Sequence, residues 1–404
     1  MANRNGGFIG TDGLDAPDPP TAVTPTGGNA SVSVAFTAPT DTGTSAITGF
    51  VAQVSTDGTN YSAGSNTGSS SPIVVSSLTN GTAATAKVWA INAYGTSAPS
   101  DASASFTPAS VLGLVAGGDN LYSGSDTIEY FSIPSTGNAT DWGNLIAAGE
   151  AFTGGGNSIR GLFTGNSSNV VQFIVYATEG NATDFGDASA ANGYAGGTSS
   201  ASNTTRAVFG RGSADVLEYY TIGTEGNGTD FGNLSQSNIQ FCGMSSSSGR
   251  GVFAGGRSGN TSFNTIEYIT IANTGNVTDF GDMNQRLVRL AGCSSATRGV
   301  MGGGHIDSAS NVPQTTIDYI TMASTGDATD FGDLTQARNN HGAFSSSVRG
   351  VFAGGGDVSG VSGGKVNTVD YITIASTGDA ADFGDLSTVR QQMGSTSNAH
   401  GGLQ

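Results

Sequence analysis

Residues 316–333 read TIDYITMASTGDATDFGD, and the same pattern is spelled six times along the chain. The other copies are TIEYFSIPSTGNATDWGN at 127–144, VVQFIVYATEGNATDFGD at 170–187, VLEYYTIGTEGNGTDFGN at 216–233, TIEYITIANTGNVTDFGD at 265–282 and TVDYITIASTGDAADFGD at 368–385. Each holds a strand centred on Tyr130, Phe173, Tyr219, Tyr268, Tyr319 or Tyr371, a turn carrying Gly and Asn or Asp, and an Asp-aromatic-Gly. Period-two alternation makes these strands, and Gly and Asn tolerate the positive φ that a tight turn requires. The reading puts the Tyr in the core, between repeats.

A second signature precedes each Tyr strand: GLVAGG at 113–118, RGLFTG at 160–165, RAVFG at 206–210, RGVFAGG at 250–256, RGVMGGG at 298–304 and RGVFAGG at 349–355. Successive copies lie 43 to 52 residues apart, the period of a four-stranded propeller blade. The order Gly-Gly, Tyr, then Trp or Phe resembles the kelch repeat, with Phe in place of Trp in five copies. The resemblance covers residues 109–404 and implies a six-bladed β-propeller; it carries fold and not function. The first copy lacks a preceding inner strand while a segment remains after Asp385, so a C-terminal strand within 389–400 is expected to complete the first blade and leave no open edge.

Residues 1–15 read as an extended arm with one apolar pair, Phe8 and Ile9, and residues 16–108 as a small β-sandwich of short alternating strands with turns at Asp57-Gly58 and Asn80-Gly81. The runs PDPPTAVTPTGGNASVSVAFTAP, ITGFVAQVSTDGTNY and SSLTNGTAATAKVWAINAYGTSAPS resemble a fibronectin type III domain. Phe36 stands where such domains carry a core Trp, and Ala84 where they carry a corner Tyr. The whole chain is therefore expected to be all-β.

Composition narrows the function classes. With 64 Gly and few charged residues, the 404-residue chain is turn-dense, and its net charge of −17 opposes nucleic acid or an anionic membrane as partner. No apolar run is long enough to span a bilayer, and MANRNGGFIGTDG lacks the apolar centre of a signal peptide. Cys242 and Cys293 are too few for a disulfide framework. Synthesis in a cytoplasm is the expectation.

Catalytic chemistry finds no foothold. His305, His341 and His400 occupy non-equivalent repeat positions, so no triad or metal set assembles from spacing. The acidic turns, such as Asp327 to Asp333, lack the spacing of a calcium loop, and Asn replaces Asp in several copies. The sequons at Asn138, Asn181, Asn227 and Asn276 align with Asp327 and Asp379, which a turn explains and glycosylation does not. No metal and no cofactor are expected. Arg286, Arg338 and Arg390 fall near the start of the inner strand in consecutive repeats and form a candidate anion cluster at the channel mouth. The connections after Gly-Gly lengthen in the last three repeats, which makes Arg257, Asn264, His305, Asp307, Gln314, Asp357 and Lys365 candidate recognition residues.

An arm, a fibronectin-like spacer and a propeller without catalytic groups resemble the virion proteins of tailed bacteriophages, particularly those of marine hosts. The resemblance implies a non-enzymatic tail fibre or surface appendage in the virion, anchored to other virion proteins by the arm and contacting a host-surface glycan or protein. The alternatives are a capsid- or tail-decorating protein with no host recognition and a polysaccharide-active propeller enzyme. A homo-oligomer would suit a fibre, although no coiled-coil segment enforces one.

Overall fold

The computed structural model describes residues 15–28, 30–120, 123–192, 199–211, 214–237, 242–245, 249–306, 312–357 and 364–403. Phe8, Ile9 and nearly all of the expected arm lie outside the described residues. The chain is all-β and divides into two compact units, Met1–Ser110 and Val111–Gln404.

The first unit pairs Thr21–Gly28, Ser31–Thr37 and Ile73–Ser76 in one antiparallel sheet, and Gly64–Gly68, Ile47–Ser55, Thr85–Asn92 and Gly95–Thr96 in another. Alternation puts Val32, Val34 and Phe36 of one sheet, and Phe50, Ala52, Val54, Ala86, Val88 and Ala90 of the other, into one shared core. Phe36 packs on Phe50 with ring centroids 4.8 Å apart. The Asn80 side chain accepts the Ala30 amide at 2.7 Å, and Gly81 turns the corner at φ 78°.

Among the described residues, the second unit holds six four-stranded antiparallel sheets and one two-stranded hairpin. The fifth is representative: Ala291–Ser294, Arg298–Gly302, Thr316–Thr321 and Thr329–Asp333 in that order. The edge strands Thr153–Gly156, Ser200–Ser202, Cys242–Ser245, Ala291–Ser294, Gly342–Ser345 and Gly394–Ser397 each lie against the next, and the last lies against the first. Gly394–Ser397 pairs with Leu112–Ala116, so the first sheet is built from both ends of the unit. The C-terminal strand thus occupies the place that the unmatched first copy leaves open.

Small residues allow the edge strands to approach. Ser345 Oγ donates to the Ser294 carbonyl at 2.8 Å and accepts the Ser294 amide at 3.2 Å. Ser395 does the same to Ala343, at 2.8 and 3.1 Å. Serine hydroxyls therefore replace a backbone ladder between neighbouring sheets, which accounts for the Ser and Gly content of these strands.

Candidate functional site

The repeated turn joins each sheet to its neighbour. Asn138, Asn181, Asn227, Asn276, Asp327 and Asp379 each present Oδ1 to one backbone amide of the preceding sheet, those of Asp385, Asn144, Asp187, Asn233, Asp282 and Asp333, at 3.0 or 3.1 Å. Asn and Asp are interchangeable here because only a carbonyl-type oxygen is used. The glycine of the Asp-aromatic-Gly is fixed by the same contact: at Gly281, with φ +150°, a Cβ would sit 2.4 Å from the Gly326 carbonyl oxygen of the next sheet. The acidic turns are thereby structural joints, and among the described residues no three metal-ligating side chains cluster.

The repeated Tyr is half-buried and packs against a core cluster shared with the neighbouring sheet, while Phe173 at the same position is buried within one, so the position lines the core as read and is partly open at its outer side. Each ring is edge-on to the later aromatic of its own sheet, as in Tyr319 to Phe331 at 6.0 Å, and in five of the six sheets its face is covered by an arginine. Arg160, Arg206, Arg250, Arg298 and Arg349 stand 4.2 to 4.6 Å above Phe173, Tyr219, Tyr268, Tyr319 and Tyr371. The same guanidinium groups donate to carbonyls at the end of the next sheet's third strand, those of Ile222, Ile271, Met322, Ile374 and Ile133. The first sheet has Leu112 at this position. There Tyr176 Oη instead donates to Thr396 Oγ1 at 3.0 Å, tying the second sheet to the first.

The residue before each Tyr is a third joint, which the sequence reading missed. Glu129, Gln172, Glu218, Glu267, Asp318 and Asp370 are all buried. Each is met by the segment that leaves the preceding sheet: Glu129 accepts the Ser387 amide at 3.1 Å, Gln172 that of Ile146 at 2.7 Å, and Glu218 that of Ser189 at 3.2 Å. Asp318 accepts from Asn284 Nδ2 at 2.8 Å and Asp370 from Thr335 Oγ1 at 2.6 Å. Burial pushes the Glu267 and Asp318 carboxyls above their ordinary range, against bonds from Ser235 and Asn284 that pull the other way. A polar residue kept in all six copies beside an otherwise apolar strand was the available signal.

The arginine cluster is not assembled. Arg338 and Arg390 are fully buried in separate ion pairs, Arg338 to Asp370 at 2.6 Å and Arg390 to Glu129. Arg390 also donates to the Gly117 and Thr127 carbonyls at 3.1 and 3.0 Å. Arg286 is exposed and one residue out of register: the Gly256 amide bonds Leu287, where Gly304 and Gly355 bond Arg338 and Arg390. Leu287 is the true counterpart, so no three guanidinium groups converge on a ligand.

The candidate loop residues divide in the same way. His305 is buried and its backbone bridges Val288, and Lys365 pairs with Asp119 at 2.9 Å across the sixth and first sheets, so neither is offered to a ligand. Asp357 accepts Gln336 Nε2 at 2.8 Å, and Gln314 Nε2 donates to the Val312 carbonyl at 2.8 Å. Asp307 lies outside the described residues. Arg257 opens a short hairpin, Arg257–Ser258 paired with Thr261–Ser262, and Asn264 follows it, half-buried.

Between the edge strands lies a cavity lined by Ser200, Ser202, Ser294, Ser345, Ser397 and His400 among others, with about 50 Å³ of room for water-sized molecules. That is space for a few waters and not for a sugar. His400 Nδ1 accepts the Gly402 amide at 3.2 Å, so Nε2 carries the proton toward the Gly156 carbonyl at 2.9 Å. Burial pulls this imidazole down to about 4. The chain matches no protein-family model and no curated protein sequence.

Proposed function

We propose that the chain is a fibronectin type III-like sandwich followed by a kelch-like six-bladed β-propeller, closed by its C-terminal strand. It acts as a non-enzymatic virion protein of a tailed bacteriophage, a fibre or appendage that touches a host-surface glycan or protein. The observation that supports this most is where the repeat spends its polar groups. The turn Asn or Asp, the strand Arg and the acid before Tyr are engaged between sheets, whereas the connections after Gly-Gly differ in length from copy to copy, the 257–264 hairpin of the fourth blade among them. Variable loops on a rigid scaffold are where recognition concentrates. The central cavity, with about 50 Å³ of room for water-sized molecules, favours a binding role through the loops over cleavage of a polysaccharide inside it.

The test is binding of the full-length protein, fluorescently labelled, to host cells, with a variant whose 257–264 connection is replaced by a two-residue turn. Binding that is lost in the variant at an unchanged melting temperature supports recognition through this face. Full-length protein that attaches to virions but not to host cells would overturn it in favour of the decorating role.

A further inference from the structure

His341 stands where the first, second and fifth sheets are entered through an apolar residue, Met393, Phe152 and Leu290. Its counterparts before the fifth and first sheets are Leu290 and Met393, each filling the space against a glycine of the preceding sheet: a Cβ on Gly255 would meet Leu290, one on Gly354 would meet Met393, and one on Gly303 would meet the His341 ring at 2.6 Å. The imidazole is fully buried, tilted against Phe352 with centroids 5.8 Å apart. Neither ring nitrogen makes a well-formed hydrogen bond, and the Gly302 backbone is the polar group that favours its charged form.

No carboxylate compensates the ring directly. On its own segment the charged neighbour is Arg338, fully buried and already paired with Asp370 of the sixth sheet. From the fifth sheet it meets the Gly302 and Gly303 region, whose next titratable side chain along the chain is the buried His305. From the sixth sheet's second strand it meets Phe352 and Gly355. Burial first, and the Arg338 charge second, hold the imidazole well below its ordinary value, with the Gly302 backbone acting weakly in the opposite sense.

We infer that His341 makes the junction between the fifth and sixth sheets an acid-sensitive seam. An imidazolium there would carry two N–H donors with at most the Gly302 backbone to receive them, beside a guanidinium, inside a fully buried contact. Taking up a solvent proton therefore requires the two sheets to part at this point. An apolar residue in the same place would not couple the junction to pH.

The sign follows from the depressed value. The neutral histidine contributes its full stability above the unfolded-state pKa of about 6.5, and that contribution is lost as pH falls from there toward the folded value. The experiment is denaturant unfolding of the full chain and of His341→Met and His341→Leu, the residues already present at Met393 and Leu290, from pH 7.5 to 5.0. His400 titrates in all three proteins and cancels in the comparison. The ratio of unfolding constants, native over variant, is expected to grow by up to about tenfold per pH unit below 6.5. Hydrogen exchange at pH 5.5, corrected for intrinsic rates, is expected to rise first in 299–304 and 342–345. A ratio that is the same at pH 7.5 and 5.0 in both variants, or exchange that rises uniformly over the six sheets, overturns the inference.

Discussion

Replacing Arg390 by Leu, Glu129 by Gln, and both together probes the contact that holds the C-terminal segment to the first sheet. Both substitutions have precedents within the molecule, since Leu287 occupies the position of Arg390 and Gln172 that of Glu129. Arg390 and Glu129 are 0% and 2% exposed, so removing either partner leaves an uncompensated buried charge. That costs about 3–5 kcal/mol. At about 2.1 cal/mol/K of unfolding entropy per residue over the roughly 290 residues of this unit, the loss corresponds to about 5–8 °C in melting temperature. In the double variant Gln can still accept the Ser387 amide and no charge is buried, so at least half of the summed loss is expected to return. The Gly117 carbonyl, which loses its Arg390 donor, keeps the double variant below the native protein. Calorimetric melts of the four proteins at pH 7 measure the cycle. Additive losses in the double variant would refute the reasoning, because they would mean that the two side chains do not act on each other.

Three further outcomes follow from the other joints. Leu112→Arg places a sixth guanidinium over Tyr130, within reach of the second sheet, and is expected to raise the melting temperature by one or two degrees, from about 1 kcal/mol of cation–π and hydrogen-bond gain; a lower melting temperature would show that the leucine's packing matters more. Asn276→Asp is expected to be neutral in thermal melts, whereas Asn276→Ala loses the bond from the Asn233 amide and about 0.5–1.5 kcal/mol; equal effects would remove the acceptor role. Asp318→Asn tests the buried acid without a cation: its raised value means that the native state favours the proton, so the contribution is full below the unfolded-state pKa of about 3.8 and is lost as pH rises through the folded value. The variant is therefore expected to melt higher than the native protein at pH 7, with the difference shrinking as pH falls toward 4, and a difference independent of pH would exclude this cause.

Periodicity made the sheets legible, because a strand's alternation and a turn's Gly survive in all six copies. The completing role of Gly394–Ser397 was legible for the related reason that one copy lacked a strand and one strand lacked a copy. Partners across a junction were not. Arg286 looked equivalent to Arg338 because both lie close to an edge strand, and a one-residue offset, visible only in the Gly256 to Leu287 bond, separates an exposed side chain from a buried one. Tyr319 was legible as lining the core because its neighbours Ile317 and Ile320 are buried. The cover of its ring by Arg298 was not, since two strands' alternation cannot pair the two residues in advance. Lys365 and His305 looked like loop residues by position, and only the fold shows that one bridges two sheets and the other is enclosed.

The distribution of these joints has an energetic logic. Pairing Gly394–Ser397 with Leu112–Ala116 closes a loop of roughly 280 residues. By the (3/2)RT ln n scaling this costs about 5 kcal/mol before any constant term. Four paired residues, at about 1 kcal/mol net per hydrogen bond, fall short of offsetting it. Side chains contribute further closure at the junction of the sixth and first sheets: Arg390 to Glu129 and Lys365 to Asp119, beside the Arg349 and Asn138 bonds that recur at other junctions. The junction of the first and second sheets closes no such loop, because the chain passes through it directly from 149 to 153. It dispenses with both the arginine and the carboxylate, having Leu112 and Gln172 in their places. The arginine and turn joints recur at junctions that close no long loop, and Arg338 to Asp370 is a buried ion pair at one of them, so what the closing junction adds to the repeat is the Lys365–Asp119 pair.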